Sequence, residues 1–205
     1  MKPSIIGAAA AAFAATAVAQ TLDFSADPVG APPAGWTCGV TGRGSPKWAV
    51  TADPEGKGNL LMQSGSGTFP WCVRSGTAVA DGSVETTFKP ISGREDRAGG
   101  VVWRWKDGDK YYVARANALE DNVSLYYTER GSRKTLKYAD APVAPGVWHK
   151  LRVDFAGTRI TVSLDGKRYI EMDDAHIAGS GAVGVWTKAD SVTAFKEFSY
   201  SQASR

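Results

Sequence analysis

Apolar and polar positions alternate with a period of two along most of this chain. Residues 82–91 set Val84, Thr86 and Phe88 against Glu85, Thr87 and Lys89, the pattern of a half-exposed strand. Residues 148–156 set His149, Leu151, Val153 and Phe155 against Trp148, Lys150, Arg152 and Asp154. Shorter strands are predicted at residues 47–50, 59–63, 159–164, 167–172, 181–188 and 191–200. Asp165-Gly166 is the strongest hairpin signal, because Asp-Gly tolerates the positive φ that a tight turn demands. Residues 21–40 read as a turn-rich segment wrapping a sandwich edge, and residues 64–69 as a surface loop. With about eleven strands at spacings of roughly 8–12 residues and no amphipathic helix, the pattern predicts an all-β, two-sheet antiparallel sandwich or a barrel. The 23 glycines and 10 prolines suit many tight turns. No repeat suggests a propeller and no linker divides the chain, so residues 20–205 read as one domain.

The chemistry concentrates in residues 97–127, which read as three consecutive antiparallel strands. Residues 98–105 run into the turn Lys106-Asp107-Gly108-Asp109-Lys110, residues 111–117 return, and residues 122–128 add a third strand. A hairpin symmetric about Gly108 sets Trp105 against Tyr111, Trp103 against Val113 and Val101 against Arg115. Trp103, Trp105, Tyr111, Arg115 and Asn117 then share one face. A slip of one residue would exchange these partners. An aromatic floor beside Arg and Asn suits a sugar, whose ring faces stack on aromatics while its hydroxyls take hydrogen bonds.

The first residues predict a secretory leader rather than structure. Lys2 supplies the positive start, residues 5–18 are apolar, and Ala17-Val18-Ala19 fits cleavage before Gln20. The apolar run is shorter than the ~20 residues a membrane span needs, so residues 1–19 read as a signal peptide and the chain as periplasmic or extracellular. In such a compartment Cys38 and Cys72 pair as one disulfide, the alternative being two buried thiols. Twenty-four Lys plus Arg against 21 Asp plus Glu leave too little positive charge for nucleic acid to be the main partner. The basic run TERGSRKTLK, residues 128–137, reads as a hairpin tip serving solubility rather than as a site.

Several segments carry a resemblance. WHKLRVDFAGTRITVSLDGKR resembles the Trp-led hairpin of laminin-G-like and other concanavalin A-like jelly rolls. AGGVVWRWKDGDKYYVARANALEDNVSLYY, followed by GAVGVWTKADSVTAFKEF, resembles an exported bacterial group beside the DUF1080 domains. That group is described as three-keto-disaccharide hydrolase-like or family-16 glycoside-hydrolase-like. The resemblance spans most of residues 48–198 and implies a concanavalin A-like jelly roll acting on or binding glycans. It rests on Arg104, Tyr111, Tyr112, Arg115, Asn117, Glu120 and Asn122 in the first block, and on Trp186, Lys188, Asp190 and Ser191 in the second.

The candidate ligand-binding set is Trp103, Trp105, Arg115, Asn117, Trp186, Lys188 and Asp190. The competing reading places Trp103 and Trp186 in the core and makes Arg115 and Asp190 a buried ion pair. For catalysis, Arg115 or Lys188 would stabilise negative charge and Asp190 or Glu120 would move a proton. The family-16 signature E-x-D-x-x-E, which sets carboxylates on one strand face, has only a distant counterpart in Glu171-Met172-Asp173-Asp174-Ala175-His176. Glu120-Asp121-Asn122 gathers oxygen ligands that suit calcium, although a turn explains it as well. Two Cys and two distant His do not make a zinc site, and His149 reads as structural. The expectation is a monomeric, exported, lectin-like β-sandwich that binds a glycan or glycoside without a cofactor. The alternatives are a three-keto-glycoside hydrolase or lyase, and a structural or interaction domain without a small ligand.

Overall fold

The computed structural model describes residues 19–56 and 58–203. Apart from Ala19, the leader expected over residues 1–19 lies outside the described residues. Among the described residues the chain is all β, with strands β1 (Gln20–Leu22), β2 (Trp36–Ser45), β3 (Trp48–Ala52), β4 (Asn59–Gln63) and β5 (Ser66–Arg74) first. Next come β6 (Gly82–Ser92), β7 (Ala98–Asp107), β8 (Lys110–Asn117), β9 (Asn122–Glu129) and β10 (Ser132–Asp140). The last are β11 (His149–Ala156), β12 (Arg159–Leu164), β13 (Lys167–Asp173), β14 (Ala182–Trp186) and β15 (Val192–Gln202). No helix among these residues is long and apolar enough to cross a membrane.

The strands form two antiparallel sheets. The first runs β13-β12-β11-β6-β15-β4-β3, with β1 also on β15, and the second runs β10-β9-β8-β7-β14-β5-β2. Consecutive hairpins such as β7–β8–β9 and β11–β12–β13 are neighbours, whereas β14 and β15 separate to the two sheets, as a jelly-roll sandwich requires. The alternation read in the sequence explains the layering. Leu61, Phe88, Leu151 and Phe195 from the first sheet meet Val101, Trp103, Tyr112 and Leu125 from the second in one buried core. Each such side chain contributes about 1.5–3 kcal/mol by leaving water. Gly99 is required there, because a Cβ would sit 2.2 Å from the Phe88 ring.

Cys38 and Cys72 stand directly opposite on β2 and β5 and form the expected disulfide. Three local expectations are corrected. The supposed loop at residues 64–69 supplies the start of β5, and residues 36–40 of the supposed edge wrap open β2, which continues to Ser45. The supposed tip TERGSRKTLK turns at Arg130-Gly131, both at positive φ, and then continues as the edge strand β10.

The β7–β8 register also differs from the symmetric hairpin. Trp103 pairs with Tyr112 and Val101 with Ala114, while Asp107 pairs with Lys110, so a bulge lies between. Arg104 sits in this irregular stretch at φ 46°. Its guanidinium donates to the carbonyls of Ala80, Ile177 and Gly157, which gives the distortion fixed partners. Trp103 therefore turns into the core, where it stacks on Tyr112 at 5.2 Å and Phe155 at 5.8 Å. Beyond the bulge Trp105 returns to the opposite face.

Candidate functional site

The outer face of the second sheet carries a second apolar cluster. Trp71, Val73, Val102, Tyr111, Val113, Tyr126 and Trp186 are buried there, with Phe69, Trp105 and Ala182 packed against them. The β7–β8 turn folds over its middle. A Cβ at Gly108 would lie 3.1 Å from the Trp71 ring, and the Gly108 carbonyl accepts a hydrogen bond from the Thr41 hydroxyl. Thr41 also meets the Tyr111 hydroxyl at 2.7 Å. The centre of the face is thus sealed by side chains, and its openings lie toward two ends.

One end is organised by charge. Arg115, on β8, donates to Asp96 at 2.7 Å and to Glu120 at 2.6 Å. Lys188 donates to the same Asp96 oxygen, also at 2.7 Å. Asp96 and Arg115 are buried, and Lys188 is partly open. Burial opposes the charge of Arg115 most strongly, but Asp96, Tyr126 and Glu120 together outweigh it and hold the guanidinium pKa above its ordinary value. Glu120 also loses water, yet the hydrogen bond from Asn122 and the charge of Arg115 hold its carboxyl below the usual range. Asp190 accepts the backbone N–H groups of Arg94, Glu95 and Asp96 at 2.7, 3.0 and 3.0 Å. These bonds outweigh its desolvation and keep its carboxyl low. The expected Arg115–Asp190 ion pair is therefore replaced: Asp96 receives Arg115, and Asp190 shapes the loop that presents Asp96.

Beside this cluster lies a cavity of about 410 Å³ lined by Arg43, Phe69, Glu95, Arg133, Lys188 and Ala189, with small residues of β2 and β5. Phe69 stacks on Trp186 at 5.7 Å, and the Arg133 guanidinium lies 4.7 Å from the Phe69 ring and 4.1 Å from that of Tyr126. Burial pushes the Arg133 pKa down. At the other end, Trp105 packs on Trp71 at 5.1 Å and lines a second cavity of about 470 Å³ with Val73, Thr77 and Lys106.

The residues anticipated from the sequence are therefore divided. Trp103 is in the core, which removes it from any ligand face. Arg115, Asn117 and Trp186 lie on the outer-face side but are buried. Lys188 reaches the first cavity, Trp105 reaches the second, and Asp190 acts on backbone. Glu120, Asp121 and Asn122 serve different partners: Glu120 accepts from Arg115 and Asn122, whereas Asp121 accepts the Val143 N–H at 3.1 Å. Phe69, Asp96 and Arg133 were not anticipated. Arg133 was legible in one respect, because a two-residue turn at Arg130-Gly131 sets it opposite Thr128 and beside Tyr126.

No family model and no curated protein matches this sequence. The fold does have solved counterparts. One is a carbohydrate-binding module, CBM66 from Bacillus subtilis, with TM-score 0.66, 20% identity, and coverage of 82% of this chain and 96% of that one. A Bacteroides ovatus GH16 protein in complex with a G4G4G3G product gives TM-score 0.61 at 10% identity, over 88% of this chain and 99% of the other. A Bacillus licheniformis β-glucanase gives 0.59 at 13% identity, over 91% and 98%. The likeness at these identities is one of fold: the chain is a concanavalin A-like jelly-roll sandwich.

The carboxylates that most nearly resemble the glycosidase signature are engaged elsewhere. Glu171 and Asp173 pair with Arg159 on the edge of the first sheet. Asp174 accepts from the Tyr112 hydroxyl and binds His176 at 2.8 Å, and His176 stacks on Tyr127. His149 bridges Asp165 and the Ala144 carbonyl, a structural arrangement. On the outer face of the second sheet the central positions are Tyr111, Val113, Val102, Trp186 and Trp71, and none of them is an acid.

Proposed function

We propose that this chain is an exported, monomeric, lectin-like domain that binds a glycan or glycoside in the cavity lined by β2, β5, β10 and the segment after β14. The observation that carries the reading is Phe69, an aromatic wall backed by Trp186, beside the charged groups of Lys188 and Arg133. An aromatic face takes the apolar side of a sugar ring, and long polar side chains at its rim take the hydroxyls. The cavity volume falls within the range of about 300–1,000 Å³ usual for ligand sites. A carbohydrate-binding module and GH16 proteins among the fold's solved counterparts support a glycan as the ligand class. The three-keto-glycoside hydrolase or lyase reading is weaker, because Arg115 and Glu120 bind each other and Asp190 is held by three N–H groups.

A second reading, a structural or interaction domain without a small ligand, is favoured by the sealed aromatic centre of the same face. Thermal-shift screening against a neutral and acidic glycan panel, with and without calcium, separates the two. A ligand at 100 times its Kd stabilises by about 2.7 kcal/mol, and Phe69→Ala should abolish that shift while remaining folded. Absence of a shift with every glycan would leave the structural reading.

A further inference from the structure

The cavity beside Phe69 holds more positive charge than its own acids neutralise. Among the described residues neither Arg133 nor Arg43 forms an ion pair, although both line the cavity. Arg133 is enclosed by the rings of Tyr126 and Phe69, and its Nη1 is buried without a hydrogen-bond partner. An unpartnered guanidinium nitrogen removed from water is costly, so its retention calls for an acceptor that the protein itself does not supply. Lys188 contributes a third cation and gives only part of its hydrogen-bonding capacity to Asp96. Glu95 is the acid on this rim, but it is exposed to solvent and stands against three basic side chains.

Building on the carbohydrate-binding reading, we propose that the cavity selects an acidic sugar, taking a uronate carboxylate between Arg133 and Lys188 with Arg43 at the entrance. Guanidinium geometry matches a carboxylate through paired N–H donors, which a neutral hydroxyl cannot reproduce. Phe69 stacks on the ring that carries the carboxylate. Arg133 provides both the charge and, through its aromatic enclosure, a fixed direction for it. The sequence hides this role because Arg133 lies in a run of basic residues that otherwise face solvent.

The test is calorimetric titration of the full processed protein with oligogalacturonate, oligomannuronate and glucuronate-bearing xylan oligomers, each beside its methyl ester. The ester keeps the sugar and removes the charge. At least one acid should bind roughly tenfold or more tightly than its ester, and added salt should narrow the difference. Arg133→Lys should lower affinity for the acid by about tenfold and for the ester by far less, a contrast that simple loss of folding does not produce. Should that variant melt early, Arg43→Ala and Lys188→Gln read the same contrast from more open positions. Equal binding of every acid and ester would overturn the anionic inference and keep the sugar site. A response to sodium sulfate or acetate equal to that with the uronates would also overturn it. No binding by these sugars or by neutral glycans would overturn both readings.

Discussion

Arg115 and Asp96 form an ion pair in which both side chains are buried, the guanidinium donating to the carboxylate at 2.7 Å. Arg115 rises from the middle of β8 among Val113, Ala114 and Ala116, so its charge must be met from another segment. The loop before β7 meets it, and Asp190 sets that loop by accepting three successive backbone N–H groups. Two acids of different position thus perform one task, one directly and one through the backbone.

Removing Arg115 should therefore destabilise the protein far more than removing an exposed arginine. Arg115→Ala strands Asp96 beside Lys188 alone and should cost about 3–5 kcal/mol. Combining Arg115→Met with Asp96→Asn should cost less than the sum of the single changes, because neither substitution then leaves a full buried charge unmatched. Urea denaturation of the wild type, the three single variants and the double variant measures this directly. An unchanged midpoint for Arg115→Ala would show that the pair carries no structural weight.

Asp190→Ala should lower stability by about 1–3 kcal/mol by releasing the three N–H groups, even though no salt bridge is lost. The pH dependence follows from the same contacts. Glu120 and Asp190 have carboxyl pKa values depressed in the folded protein, so their stabilisation is present above the usual carboxylate range. It is lost as pH falls below about 4 and continues to be lost through the lower folded values. Thermal melts between neutral and acid pH should show a falling limb there, shallower in Asp190→Ala. Identical acid limbs in the two proteins would contradict the assignment.

The part of the fold that period-two alternation controls was legible in the sequence: strands such as β6 and β11, and the hairpin at Asp165-Gly166, follow from local residue order. The site was less so. Nothing in VVWRWKDGDK marks Arg104 as part of an irregular stretch, because its stabilising partners, Ala80, Ile177 and Gly157, are remote in sequence. That one feature moved Trp103 from the expected ligand face into the core. Asp96 stands in the charged run Arg94-Glu95-Asp96-Arg97, whose order alone marks no buried member, and burial of that acid depends on contacts from β8 and from residues 188–190.

Trp103 provides a clean contrast with the cavity residues. Its ring packs between Tyr112 and Phe155 and is fully buried, so Trp103→Ala should cost about 3–5 kcal/mol in unfolding free energy. Phe69→Ala, at a partly open wall, should cost less and act on ligand affinity instead. Chemical denaturation and glycan titration of both variants would distinguish the roles. A stable Trp103→Ala protein that fails to bind would return that tryptophan to the ligand face.

The disulfide gives the last prediction. Cys38 and Cys72 are 34 positions apart and tie β2 to β5, the two strands that bring Arg43 and Phe69 to the cavity. Closing a loop of that length restricts the unfolded chain and is worth about 3–4 kcal/mol in the chain-entropy description. Substituting both cysteines with serine should lower the urea midpoint accordingly. It should also weaken glycan binding by less than Phe69→Ala does, since the β2–β5 hydrogen bonds remain to hold the wall in place. Binding lost completely in a serine variant that still folds would mean that the bond positions the wall itself, and that the backbone ladder alone cannot.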